Sequence, residues 1–371
     1  MTGINRRQFS LLLAAGLSSP ALLAQSGTPH SQPLLASAAT NKQGQHSLKL
    51  VAADGELLLD HPLPARAHHI ALHPQQPWLA AIARRPGTYI EVIDYQRQRL
   101  VKRLQSPAGR HFYGHAIFSE DGRYLISCEN NLPDGQGRIT VRDLQQDFAQ
   151  VADYPSYGIG PHELKLLSDQ QTLVVANGGI LTHPEQGRDK LNLDNMQPSL
   201  AYIDLASGTL QEQVSPPTEM HQLSIRHLDV NADDTVMIAL QYQGARHHDV
   251  PLIAAHQRGE PLALLRAPDE INRAMKLYCG SARFDHSGQY AAISAPKGDL
   301  VTFWDAKSRE YLGKCKVRDG CGLAATEEAG GFLISSGRGR LYHYQVQTGE
   351  KRRLPLNPAI KTRWDNHMIS V

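Results

Sequence analysis

His115-Ala-Ile-Phe-Ser-Glu-Asp-Gly-Arg-Tyr-Leu125 decides how this chain is read. A short alternation of apolar and polar residues runs into an Asp-Gly turn, and a second strand opens on Tyr124-Leu125. The same ten-residue step separates His69 from Leu79 and His227 from Met237, while His162 to Leu173 carries one added residue. Ser281 to Ala291 and Gly322 to Leu333 repeat the pattern without histidine, and His367 to Val371 opens a further copy. The copies start at residues 69, 115, 162, 227, 281, 322 and 367, so the intervals are 46, 47, 65, 54, 41 and 45. That spacing is expected of four-stranded blades stacked around an axis.

A third strand follows in most copies and closes on an acid, as in Ile90 to Asp94, Ile139 to Asp143, Ala201 to Asp204 and Val301 to Asp305. Period-two patterning with Gly, Asn, Asp and Pro between short runs predicts an all-β body. The seventh copy needs three more strands. Pro33 to Val51 is similar to Tyr124 to Val141, and Gly55 to Leu59 adds another short run. The expected fold is therefore a seven-bladed β-propeller, its last blade closed by N-terminal strands around the C-terminal innermost strand, which leaves no open sheet edge.

Asn5-Arg6-Arg7-Gln8-Phe9 precedes a short, weakly apolar stretch ending near Ala24-Gln25. Paired arginines before a segment too short to span a bilayer read as a twin-arginine export signal over residues 1–24, with the propeller over 25–371 and a periplasmic destination. Ala36-Ser37-Ala38 also has the form of a cleavage site, but cutting there would remove a strand assigned to the last blade. Such a leader predicts no membrane span in the mature protein.

A formal charge of +2 with interspersed signs gives no nucleic-acid footprint. Cys128, Cys279, Cys315 and Cys321 lack CxxC or CxxCH spacing, which argues against covalent haem and a cysteine-rich zinc site. In an oxidising compartment they suggest a disulfide, either Cys279–Cys321 or Cys315–Cys321.

Five of the seven copies start on histidine: His69, His115, His162, His227 and His367. With 18 histidines in 371 residues, seven arbitrary positions should hold fewer than one. In a closed ring these positions meet at the axis and suit a borderline metal such as iron, copper or zinc. Binding by such imidazoles is expected to fall below about pH 6, where they protonate. Glu163, Asp365 and Asn131 are candidates to orient the rings, and His68, His111 and His221 could contribute but read more simply as surface residues. Arg66, Arg110, Arg226 and Arg363 each precede a ring histidine by five residues or fewer. Guanidinium groups beside imidazoles would favour a small metal complex with carboxylates over a bare cation. Ile180 to Ser199 interrupts the rhythm and is expected to cover the mouth or dock a partner.

Gly114-His115 could instead be a structural pair of the kind that ties blades together, which would make the protein an interaction scaffold. No Gly-x-Ser-x-Gly elbow, His-Glu-x-x-His helix or phosphate loop points to catalysis, although a lactonase-type hydrolase stays open. The chain resembles the seven-bladed YVTN/WD40-like propellers and, more narrowly, twin-arginine-exported propellers of Gram-negative bacteria. The resemblance rests on the Asn5 to Phe9 leader, the stretch Gly114 to Gly122 and the closing Arg363-Trp364-Asp365-Asn366-His367. It implies a periplasmic protein encoded beside imelysin-like and di-haem proteins, with metal-acquisition proteins as partners in iron uptake, and adds Trp364 to the ligand-binding candidates.

Overall fold

Short β-branched and aromatic runs, each ended by a turn, fold here into seven four-stranded antiparallel sheets. The structure is a computed structural model and describes residues 32–371. The export signal expected over residues 1–24 lies outside the described residues.

The first blade runs outward from Ala67–Leu72 through Trp78–Ala83 and Tyr89–Asp94 to Arg99–Gln105. The innermost strands of the next five are Arg110–Phe118, Pro161–Leu166, Leu223–Val230, Ser281–Phe284 and Gly320–Ala325. Successive innermost strands touch, and Thr362–Ser370 touches both Gly320–Ala325 and Ala67–Leu72, so the ring is closed. This last strand pairs with Pro33–Asn41, which is followed outward by His46–Ala52 and Leu57–Leu63. The closure expected from the sequence is therefore present, and Ala36-Ser37-Ala38 lies buried inside that sheet.

The acids that end the third strands cap turns. Asp94, Asp204 and Asp305 accept hydrogen bonds from the backbone of Arg97 (2.8 Å), Ser207 (2.7 Å) and Ser308 (2.7 Å). Apolar faces of neighbouring blades pack together, as where Phe112, Ala116 and Leu125 of blade two meet Ile82, Ile90 and Val92 of blade one.

Two expectations are corrected. The histidines do not begin the innermost strands; they are their second to sixth residues, at places where the pairing slips. Ala67 and His69 pair with the adjacent Ala83 and Ile82, so His68 is an extra residue. His162 is extra in the same way, as is Arg226 beside His227. Around His115 and His367 the slips are larger, between Phe112 and Ala116 and between Trp364 and Met368. A bulge adds residues without a partner and turns side chains that alternation would send elsewhere. The second correction concerns sulfur: all four thiols are free and buried, so neither expected bridge forms.

Among the described residues no helix is long and apolar enough to cross a membrane.

Candidate metal centre

The bulges bring six imidazoles together at the axis. His68 lies with its ring centroid 5.0 Å from that of His115, 5.2 Å from His162 and 4.7 Å from His367. His69 stacks on His115 at 4.6 Å, and His227 completes the group at 4.5 Å from His162 and 4.6 Å from His367. Three overlapping triads have donor atoms within 4.8 Å of one another: His68–His162–His227, His68–His115–His367, and His69–His115–Glu163. His68 is only 4% exposed, so the sequence reading of it as a surface residue is corrected. Strand alternation would point it away from its neighbour's face; the bulge does not, and the adjacent pair His68-His69 was the available signal.

Burial shapes the protonation of this cluster. Desolvation holds His69, His115, His162 and His367 well below the usual imidazole range and brings His68 down to about 4. His227 is lowered too, against the opposing pull of Glu163. The rings are thus neutral at ordinary pH, as metal ligation requires. The Glu163 carboxylate accepts from His227 Nδ1 (3.0 Å) and from the Leu228 amide (3.2 Å), which leaves the His227 Nε2 lone pair available. Asp365 stands 3.9 Å from His68 Nδ1 and is held by Arg66 and by the Asn366 amide. These are carboxylates in the position that orients metal-bound imidazoles.

Unused nitrogens distinguish these rings. His69 Nδ1, His162 Nδ1, His367 Nε2 and both nitrogens of His115 are buried without a hydrogen-bond partner. His73 is different: its Nε2 donates to the Gly122 carbonyl (2.9 Å) and its Nδ1 accepts from the Gln75 and Gln76 amides. His256 is likewise bonded at both nitrogens, to Tyr202 and Glu260. Gly114-His115 therefore forms no blade-tying hydrogen bond through its imidazole.

The remaining candidates scatter. Arg226 faces the cavity above the histidines and its Nε is buried without a partner. Arg66 instead serves Asp365, and Arg110 grips Asp153 of blade two's outer strand through both terminal nitrogens (3.0 and 2.8 Å). Arg363 is exposed outside the cavity, Asn131 binds Asp134 in its own turn, and Trp364 is buried in the closing blade's core. Chain proximity to a ring histidine does not fix which side of the strand an arginine takes. His111 donates to the Phe112 carbonyl and His221 bonds the Thr218 carbonyl, and neither joins the cluster.

Above His68, His162 and His227 opens a cavity of about 1240 Å³. Arg84 and Arg85 enter it from blade one, Arg188 and Lys190 from the Ile180 to Ser199 insert, and Arg246 from the loop of blade four. Arg273 and Lys276 come from the segment around a short helix, Asp269–Ala274, that patterning had not revealed, and Lys297 comes from blade five. Together with Arg226 these make nine cationic side chains against one lining carboxylate, Asp249, which already binds Arg266 and Asn272. Burial, and after it mutual repulsion, brings Arg84 down to about 10 and lowers Lys190 and Lys297.

The fold and its axial cluster define a seven-bladed β-propeller with a histidine-lined floor beneath a cationic funnel. The chain belongs to a family of proteins of unknown function, DUF1513, which matches residues 61–371. No curated protein matches it in sequence. Among solved structures it is similar to a chain of a mitotic checkpoint complex (TM-score 0.59, 9% identity, covering 80% of this chain and 78% of that one). It is also similar to a chain of hydrazine synthase from Kuenenia stuttgartiensis (TM-score 0.58, 15% identity, covering 89% and 98%). At such identities the likeness concerns the fold alone.

Proposed function

We propose that this propeller binds a transition metal, as an ion or a small complex, on the axial histidines, and serves iron or other metal acquisition in the periplasm after twin-arginine export. The observation that carries the reading is the set of buried imidazole nitrogens without partners, since a buried polar atom left unsatisfied costs about 1 to 3 kcal/mol and a structure rarely accumulates several in one place. His68, His162 and His227 supply three neutral donors with an open side toward the cavity, an arrangement compatible with iron, copper or zinc. The Asn5 to Phe9 leader and the resemblance to exported YVTN/WD40-like propellers support the compartment and the role in uptake.

Elemental analysis of protein recovered from the periplasm tests this. The parent should carry close to one equivalent of metal, and His162→Ala/His227→Ala should lose it while melting cooperatively. A parent that holds no metal and takes up neither ferrous nor zinc ions would overturn the reading and leave the cluster a structural feature of a scaffold.

A further inference from the structure

The wall of the cavity and its floor ask for different things. The floor offers neutral nitrogen donors to a cation, while the wall presents nine lysines and arginines, eight of which form no ion pair among the described residues. Only Arg273 reaches a carboxylate, Asp249, and that group is shared with Arg266. Among the carboxylates at the histidines, Asp365 is already neutralised by Arg66, leaving Glu163 as the one negative charge next to the rings without an arginine or lysine partner among the described residues. A bare divalent ion would descend through a positive field that one carboxylate does not offset. A cleft lined by one sign of charge concentrates ligands of the other sign.

Size argues in the same direction. Small-molecule sites commonly enclose about 300–1,000 Å³, and a cavity of about 1240 Å³ is far larger than a hydrated ion requires. Arg226 is the hinge between the two layers: it follows directly on Ile225 in the bulge that presents His227, its Nε is buried and unpartnered, and it stands within the funnel. Arg85 is set on the opposite loop, bonded to Thr182 and lying over the Tyr113 ring.

We propose that the ligand is an anionic metal chelate, a metal already wrapped in several carboxylate-type oxygen arms, whose arms are held by Arg84, Arg226, Arg188 and Lys190 while His68, His162 and His227 face its metal. This rests on the metal-binding reading above and names its ligand class. The insert Ile180 to Ser199, two of whose cations face the funnel, is then part of the binding wall.

Ferric citrate serves as the probe, compared by equilibrium binding with citrate alone and with aqueous zinc ion, on the parent and on two double variants. Arg84→Gln/Arg226→Gln removes half-buried cations, and Arg188→Gln/Lys190→Gln removes exposed ones carried by the insert. The parent should bind ferric citrate at least tenfold more tightly than either control, with affinity falling as ionic strength rises. Both variants should weaken ferric citrate at least fivefold, and both should bind zinc ion as well as the parent or better, because a repulsive charge has gone. That opposite sign separates the proposal from general damage. Zinc bound more tightly than ferric citrate, with neither variant affecting the chelate, overturns the chelate and leaves metal binding standing. Citrate bound as well as ferric citrate, and equally by His162→Ala/His227→Ala, overturns both and leaves an anion site.

Discussion

His73, just past the innermost strand Ala67–Leu72, and His115, within Arg110–Phe118, have opposite fates. His73 has a partner at each ring nitrogen, whereas His115 has none, although both are buried. Burial lowers both from the usual imidazole range, His115 well below it. An ordinary imidazole titrates near 6.5, and the folded chain holds His68 at about 4 and several neighbours well below their usual range. Because the folded values are depressed, stability is complete above pH 6.5 and is lost as pH falls, since the unfolded chain takes up protons that the native cluster refuses. For His68 alone the loss down to pH 4 is about 3 kcal/mol at 1.36 kcal/mol per unit. Urea unfolding of metal-free protein should therefore weaken steadily from pH 7 to pH 4.5, with a shallower slope in His68→Asn; a flat profile in the parent would refute the burial argument. Metal should likewise survive below pH 6, contrary to what free imidazole suggests. At this scale the five periodic histidines were legible because the repeat marks them. His68 was not, because alternation gives the wrong face, and of the four arginines only Arg226 reaches the cavity, because a side chain's direction is set by packing rather than by its place before a strand.

Among the elements, the bulged innermost strand matters most. Six of the seven innermost strands slip their register near the same level, and only Ser281–Phe284 pairs without a shift. The ten-residue interval could be read from sequence, but the extra residues could not, because they sit within a step whose length they do not visibly alter. Gly114 shows how tightly the bulge is built. Its φ of +114° is a conformation that side-chain-bearing residues seldom adopt, and a Cβ there would come within 2.7 Å of the His68 ring. Gly114→Ala should cost about 1 to 3 kcal/mol in backbone strain and should displace His68, lowering metal affinity by tenfold or more. Thermal melting and metal titration of the purified variant check both, and unchanged affinity would mean that His68 is not a ligand.

For the whole molecule, closure is the governing contact. Leu35, Ala36 and Ser37 pair with Ser370, Ile369 and Met368, joining residues far apart in the chain into one sheet. Deleting residues 366 to 371 should expose the edge of Pro33–Asn41 and abolish cooperative melting, which circular dichroism would follow; a truncated protein that melts like the parent would show that the ring holds without it. This architecture was legible because Pro33 to Val51 repeats the pattern of Tyr124 to Val141. The funnel was only partly so: its cations come from segments as separate as Arg84, Lys190 and Lys297, and no local pattern links them.

The histidines are unevenly shared around the ring. Blades one to four and the closing blade each send at least one to the axis, while the fifth and sixth place Ser281 and Gly322 at the corresponding positions of the repeat. An ion at the centre would act like a rivet through one arc of a hoop, tying adjacent blades together and leaving the other arc to its own sheet-to-sheet packing. Held by His68, His162 and His227, an ion would brace the arc of blades one to four and make a nearly sevenfold-regular object mechanically lopsided.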